Sequence, residues 1–498
     1  VAALTTRHLH RFFRQVSDGL PYALMLGGSA EPTPLNQWVI IGLHARQVLT
    51  LQHQSLKWET SEGTQTLSIP DSETLFATLE QARQNCQSWP QAKQSGLPMA
   101  GGLTGTLGYE FYRWCDSGWQ NQNQPQTADW PELCLCEFED WLLINLETIE
   151  LTVLSNGASR KIIYETFWQA ILQEATPEAE VLPATPQGNL NAEQMAEYLC
   201  SFQVSFQPAQ FEQAVEQLKS DIYNGEIYQA NLSIRLQKEL ELDPYALFER
   251  LCIKNPSPFA GFFKTPAGIL VCNSPERLVQ MDETGLAQTR PIAGTRGRGQ
   301  TPDEDLQIGE SLLNNEKERA EHLMLVDLAR NDLGRVCEAG SVQVDDLLIL
   351  ERYSHVTHLV SNVIGQLKPN ATGWQLIQAL FPGGTITGCP KIRCVDILKK
   401  MEPVSRGLYT GSLGFLDASS PALDFNILIR SVYLKPVQQS MQTLHQPMRY
   451  NTAVHVGAGI VHDAIGPNEY RECLRKANAI LNELYFLENL ESQTLHPV

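Results

Sequence analysis

Residues 210–240 read QFEQAVEQLKSDIYNGEIYQANLSIRLQKEL, and the hydrophobic period changes inside them. From 210 to 227 the apolar residues recur three and four apart, which predicts an amphipathic helix stopped at Asn224 and Gly225. From 227 to 240 the pattern becomes that of a strand. The same mixture continues outward without the regular strand–helix–strand rhythm of a parallel sheet. GILVCNSPERLVQM (268–281) reads as a hairpin arm, and NNEKERAEHLMLVDLARNDLGRV (314–336) as an amphipathic helix closed by Gly334. WQLIQALFP (374–382) reads as a helix stopped at Pro382, and NILIRSVYL (426–434) as one strand. PNEYRECLRKANAILNELYFL (467–487) reads as a long final helix. Helices and strands mixed in this way predict an α+β fold.

Upstream, residues 22–170 are strand-rich, as in WVIIGLHARQVLTLQHQSLKWE (38–59) and LCEFEDWLLINLETIELTVL (135–154). GGLTGTLGYEF (101–111) lacks the residue order of a phosphate loop, so its glycines predict turns or close strand packing. EATPEAEVLPATPQGNLNAE (174–193) has no apolar period and reads as linker. The expected organisation is therefore an N-terminal domain over 1–173, a linker over 174–204, a second domain over 205–487 and a tail over 488–498.

The chain of 498 residues carries a formal net charge of −19, with 43% hydrophobic and 19% charged residues. Such a surface repels phosphate backbones and anionic membranes, so neither nucleic acid nor membrane is an expected partner. The eleven cysteines lack paired zinc-site spacing; Cys134, Cys136, Cys389 and Cys394 stand in no CxxC arrangement. Reduced thiols and a cytoplasmic location are expected. No stretch reaches the ~18 apolar residues of a membrane span.

Several constellations could carry chemistry. The final helix places Glu469, Glu472 and Lys476 on one face, and the helix over 314–336 does the same for Glu318 and Glu321. Each set alone reads as a solvated face, but two acidic faces in one domain could meet at a hard cation, since Mg²⁺ takes one or two carboxylates plus water and substrate oxygens. FPGGTITGCPKIRCVDIL (381–398) resembles a helix start suited to an anion, although an ordinary capped helix explains it as well. Arg430 sits in an apolar run and needs either a buried carboxylate or an anionic ligand. His358 in THLVSNVIG and Glu276 in SPER are open between structural and chemical roles. QTRPIAGTRGRG (288–299) could hold an anion or touch nucleic acid.

Taken in order, YQANLSIR, SPERL, RPIAGTRGRG, KERAEHLMLVDLARNDLGRV, THLVS, GGTITGCPKIR, NILIR, VGAGIV and EYRECLRKA resemble the chorismate-using enzymes. That family includes anthranilate synthase component I, aminodeoxychorismate synthase component I, and the isochorismate and salicylate synthases. The likeness spans about residues 205–485 and extends more weakly into the N-terminal part. It implies two packed antiparallel β-sheets flanked by helices, with the active site in the cleft between them. It implies a chorismate-binding catalytic domain over 205–487 and Mg²⁺ on Glu321 and Glu472, with Glu469 beside them. It also implies that Arg430, Lys476, Thr385, Tyr450 and the backbone of Gly457, Ala458 and Gly459 bind substrate. Glu276 matches the general acid that protonates the departing C4 hydroxyl, and His358 a histidine near the reacting ring.

The resemblance further separates the possible nucleophiles. Water-using members carry a lysine base where this chain has Gln229. An amide cannot deprotonate water, but it can orient ammonia, so amine transfer is expected. The chain shows no G-x-C-x-G nucleophile elbow, which implies a separate glutamine amidotransferase subunit. The loop 288–299 then falls at the active site, and Ala293 becomes its sharp point. Many aminodeoxychorismate synthases carry a lysine there that adds to the ring at C2, whereas anthranilate synthases carry alanine. Against this stand Tyr228 and Asn231 of YQANL, Thr387 of TITGCPK, DFNILIR (424–430), and Gly28 in LMLGGS (24–29), where a tryptophan-feedback motif would carry glutamate. The balance favours formation of aminodeoxychorismate, with anthranilate as the alternative.

Overall fold

The structure, a computed structural model, describes residues 4–89, 92, 95–116, 130–173, 190–299, 301–352, 356–437 and 448–494. Every strand pairing in it is antiparallel. The ladders form two sheets joined at a corner. In the first sheet Gln229–Glu241 pairs with Arg449–Ile460, then come Ser431–Pro436, Gly268–Ser274, Phe259–Thr265, Ala23–Leu26 and Trp38–Gln52. In the second, Gly102–Leu107 is followed by Ser412–Asp417, Leu423–Asn426, Arg277–Met281, Leu286–Thr289 and Val356–Gln366. Trp38–Gln52 and Leu133–Asn145 run through both sheets as one long ladder. Its register slips between Ala45 and Gln47, and His44 has φ 59°. That irregularity bends the pair and makes the corner.

The α+β class and its two packed, helix-flanked sheets follow from where the apolar side chains go. Phe263, Leu270 and Cys272 of the first sheet meet Leu413, Phe415 and Cys136 of the second in a shared core. The outer face of the first sheet is covered by helices including Thr6–Ser17, Pro208–Tyr223, Pro244–Lys254 and Gly466–Thr494. The outer face of the second is covered by Ser72–Gln84, Glu316–Gly334 and Gly373–Leu380. The glycines of 101–111 serve close strand packing. A Cβ on Gly105, at φ +153°, would stand 2.1 Å from the Cys134 carbonyl oxygen.

Some boundaries differ from the sequence reading. Part of the stretch read as linker is the helix Ala192–Cys200, which begins with an Asn191–Gln194 capping box; residues 174–189 lie outside the described residues. Strands from both sides of that stretch pair directly, as Ala23–Leu26 does with Phe259–Thr265. The final helix runs Gly466–Thr494, beyond 487. NILIRSVYL is not one strand. The chain leaves the second sheet at Asn426, crosses through 427–430 and enters the first at Ser431. GILVCNSPERLVQM likewise crosses between Ser274 and Arg277, where Pro275 has no N–H for a ladder.

Gly105→Ala should cost about 3 kcal/mol, because the strand must separate from its neighbour to admit a methyl group. Denaturant unfolding checks this; a loss below about 0.5 kcal/mol would show that the strands have room.

Candidate active site

The two crossings lie side by side. Ser274 Oγ donates to the Ile427 carbonyl at 2.6 Å, the Ile427 N–H to the Glu276 carbonyl at 2.9 Å, and the Asn273 N–H to the Arg430 carbonyl at 3.2 Å. Glu276 and Arg430 are therefore neighbours at the junction of the two sheets. Arg430 has φ 50°, a left-handed conformation that a non-glycine residue adopts only when its surroundings hold it there.

Glu276 is 6% exposed. Thr385 Oγ1 donates to its Oε1 at 2.8 Å, from the turn Gly384–Ile386, and the Ile292 N–H also bonds the carboxylate. Burial pushes its pKa up to about 7, with the donors and the charges of Arg430 and Lys476 pulling the other way. Arg430 is half-buried and makes no ion pair among the described residues; burial lowers its pKa and Glu276 opposes that. Lys476 Nζ donates to the Gly457 carbonyl at 2.9 Å and stands 3.7 Å from Glu472 Oε1.

The loop 288–299 reaches this centre. Ile292–Gly297 pairs with Val356–Gln366, setting Ala293 opposite Leu359 and Thr295 opposite His358, with a slip at Gly294. Gly294 has φ +73°, and a Cβ there would lie 2.2 Å from Glu318 Oε2, so Glu318 packs against the loop and pairs with Arg296. His358 is 3% exposed, and burial with the charge of Arg430 lowers its pKa to about 4. It is a neutral imidazole at physiological pH.

Gln229 opens the strand beside 457–459. Its Nε2 lies 2.9 Å from the position of a Cβ on Gly459, and its carboxamide oxygen is buried without a hydrogen-bond partner. Ala458 faces the core and is fully buried. Glu321 and Glu469 face each other's fields from two helices, and burial raises the pKa of both. Glu321 Oε1 is also a buried oxygen without a hydrogen bond. Among the described residues no three His, Cys, Asp or Glu side chains form a ready metal cluster. The donor set still fits Mg²⁺, which needs only one or two carboxylates from protein. Glu472 is turned toward Arg475 and Lys476.

Tyr450 is not brought to this centre. It is buried at the far end of Arg449–Ile460, opposite Leu240, about 30 Å of strand from Gly459. The sequence reading used Asn231 only as a family marker and missed Tyr409; Asn231 Oδ1 lies 2.6 Å from the position of a Gly457 Cβ, and the Tyr409 hydroxyl 2.7 Å from it. It also missed Arg406, which is 2% exposed and bonds Glu402, the Ile386 carbonyl at 2.9 Å and the Asn231 carbonyl at 2.5 Å. That guanidinium ties the strand bearing Gln229 to the turn bearing Thr385. The i,i+4 spacing of Glu402 and Arg406 was a visible signal, but the residues straddle a helix end. Glu402→Ala should destabilise the fold by about 3–5 kcal/mol, because Arg406 is left buried without its counter-charge. Chemical denaturation reads it, and a loss under about 1 kcal/mol would contradict the pairing.

The chorismate binding enzyme family model matches residues 39–482. The chain is 43% identical over 394 residues to the anthranilate synthase component I-like protein of Synechocystis sp., covering 78% of this chain and 73% of that one. It is 38% identical over 396 residues to aminodeoxychorismate synthase component 1 of Bacillus subtilis, covering 78% of each. The crystal structure of anthranilate synthase component I from Streptococcus pneumoniae superposes with a TM-score of 0.70 at 28% identity, covering 91% of this chain and 93% of that one. No helix among the described residues is long and apolar enough to cross a membrane. With a paired sheet crossing that sets an acid beside an unpaired guanidinium, and with a family match over most of its length, this chain belongs to the chorismate binding enzymes.

Proposed function

We propose that the chain aminates chorismate with ammonia to 4-amino-4-deoxychorismate, with Mg²⁺ as cofactor and a glutamine amidotransferase subunit as ammonia source. The observation that carries the reading is Glu276, a buried carboxyl with its pKa raised to about 7 beside Arg430 and Lys476. An ordinary glutamate is protonated in well under about 1% of molecules at neutral pH. Glu276 keeps a useful protonated fraction there and can donate to a departing hydroxyl. In the net reaction a C4–N bond forms and the C4–O bond breaks. The hydroxyl leaves as water with the Glu276 proton, and the proton shed by the new ammonium group restores the carboxyl.

Arg430 and Lys476 would take the two carboxylates of the substrate. Gln229 offers an unpartnered carboxamide oxygen that can accept an N–H of ammonia but cannot activate water. Mg²⁺, held by Glu321 and Glu472 with Glu469 beside them, would neutralise the ring carboxylate and draw electrons from the ring. Position 28 supports the aminodeoxychorismate reading. A Cβ there would lie 2.4 Å from Cys252 Sγ and 3.1 Å from Phe248 Cζ, so the glutamate of a tryptophan-feedback motif has no room. Anthranilate formation is the second reading, and Ala293 favours it: with no amine to occupy C2, ammonia can add at that carbon.

Incubation with chorismate, Mg²⁺ and ammonium should consume chorismate and yield 4-aminobenzoate only when aminodeoxychorismate lyase is added. Anthranilate appearing without the lyase would select the second reading, and no consumption would sink both. At saturating chorismate and a fixed concentration of free ammonia, turnover should fall as pH rises through about 7, where Glu276 loses its proton. Glu276→Gln should lower kcat by about 10²–10⁴-fold and remove that limb of the pH profile. Glu321→Gln and Glu472→Gln should each weaken Mg²⁺-dependent chorismate binding by about tenfold or more in calorimetry. Unchanged binding in both would rule out these ligands.

A further inference from the structure

Lys317 and Glu321 lie one turn apart near the start of the helix Glu316–Gly334. Lysine four residues before glutamate is the weaker order for a helical ion pair. The ammonium does not settle on Glu321. Lys317 Nζ donates to both carboxylate oxygens of Asp463, at 2.8 Å each, and stops 4.0 Å from Glu321 Oε1. Asp463 lies in the turn between the strand Arg449–Ile460 and the final helix Gly466–Thr494, which carries Glu469 and Glu472. The bridge thus joins the helix of Glu321 to the approach of the helix that bears the other two carboxylates. The charge of Lys317 also reaches Glu469, and Glu318 and His462 add theirs at Glu321. Glu472 has Arg475 and Lys476 as partners. Glu321 Oε1 differs: it is buried and accepts no hydrogen bond among the described residues, and the ammonium facing it stands beyond hydrogen-bond reach.

We infer that Asp463 is a positioning residue for the proposed Mg²⁺ site: it parks the Lys317 ammonium so that Glu321 Oε1 stays unbonded and open to a divalent cation. The inference rests on the Mg²⁺ reading above. An ammonium and a hard cation compete for the same carboxylate oxygen. Lys317 has a flexible four-carbon stem, so without Asp463 a small rotation brings its Nζ onto Glu321. Paired with Asp463, the same side chain cannot make that contact. Its charge still opposes a cation at Glu321. Lys317 therefore limits how tightly the metal is held, and Asp463 sets how strong that limit is.

The test is binding of Mn²⁺, which takes the same oxygen ligands as Mg²⁺, to the whole chain with and without chorismate. The free ion is counted by electron paramagnetic resonance at fixed ionic strength. The two side chains are 53% and 46% exposed, so substitution at either should leave the fold intact. Lys317→Met should tighten the Glu321-dependent binding by about fivefold, the effect of one unit charge about 4 Å away in water. Asp463→Asn should weaken it by a similar factor. A bridge that only held the two segments together would move both variants the same way. In the Lys317→Met background, Asp463→Asn should change the affinity by less than about twofold, because no ammonium is left to park. Equal weakening by Asp463→Asn in both backgrounds would mean that Asp463 acts through its own charge, and would overturn the inference. Weakening by both single variants, or an unmoved affinity in both, would overturn it as well. Wild-type binding no tighter than that of Glu321→Gln, with chorismate present or absent, would overturn the Mg²⁺ reading together with the inference. Glu321-dependent binding that ignores Lys317 and Asp463 overturns the inference alone.

Discussion

The site depends on two strands that leave one sheet for the other at the same place. Residues 274–277 and 426–431 cross together, bonded backbone to backbone and through Ser274 Oγ. A single crossing would leave carbonyls and N–H groups unpaired between the layers, which is costly where water is excluded. Two antiparallel crossings satisfy each other. Their pairing then fixes the residues at the bends, and those residues are Glu276 and Arg430. The acid and the guanidinium are positioned by backbone, not by long side chains finding one another, so little conformational freedom is left to lose when substrate arrives.

Burial at that junction sets the chemistry. Glu276 gains two hydrogen-bond donors and two nearby cations, each of which favours its carboxylate, yet its pKa still rises to about 7. Desolvation is therefore the larger effect. The donors hold it near neutrality instead of leaving it permanently protonated. His358, two strands away, is driven in the opposite sense by the same burial, to about 4, with help from Arg430. One apolar junction thus keeps a carboxyl partly protonated and an imidazole neutral at the same pH, which divides proton donation from simple hydrogen bonding. The buried Arg406–Glu402 pair sits just outside and keeps the Gln229 strand against the Thr385 turn.

The helices Pro208–Tyr223, Glu316–Gly334, Gly373–Leu380 and Gly466–Thr494 were legible because their periods are long and clean, whereas Ser72–Gln84 and Ala158–Gln173 went unread inside a stretch taken as strand-rich. The helix Glu316–Gly334 and the strand Gln229–Glu241 fall within two residues of their sequence limits. The α+β class followed from the absence of alternation. The crossings were not legible. NILIRSVYL has an apolar run that scans as a single strand, and nothing local says that the chain changes sheets at Arg430 with φ 50°. Glu276, Arg430, Thr385 and the loop at Ala293 were placed together only by a family resemblance, since no period or spacing connects residues spread from position 276 to position 430. Tyr450 shows the limit of such transfer. It shares a strand with Gly457 and Gly459, and a strand is long enough to carry one end to the centre and the other end away from it. Tyr409 was missed, and Asn231 was read only as a family marker, because their part in the site comes from packing against a glycine, which leaves no pattern in sequence.

The charge around the cleft bears on the cofactor. Lys476 faces Glu469 and Glu472, Lys317 faces Glu321 and Glu469, Arg430 faces Glu276, and Glu472 is offset by Arg475. A dicarboxylate entering such a cleft would bring its own two charges into a chain already at −19. Arg430, Lys476 and Lys317 do not balance substrate and protein carboxylates together, since Lys317 is already paired with Asp463. Protonation could relieve part of the excess, and the raised pKa values of Glu321 and Glu469 point that way. A divalent cation held by Glu321 and Glu472 would relieve it more fully, by letting the carboxylates ionise. On this argument the acidic faces of the two helices are not a barrier to an anionic substrate. With the proposed Mg²⁺ they would make its binding conditional on the metal, and that condition would keep Glu276 from meeting a substrate that is not yet held for reaction.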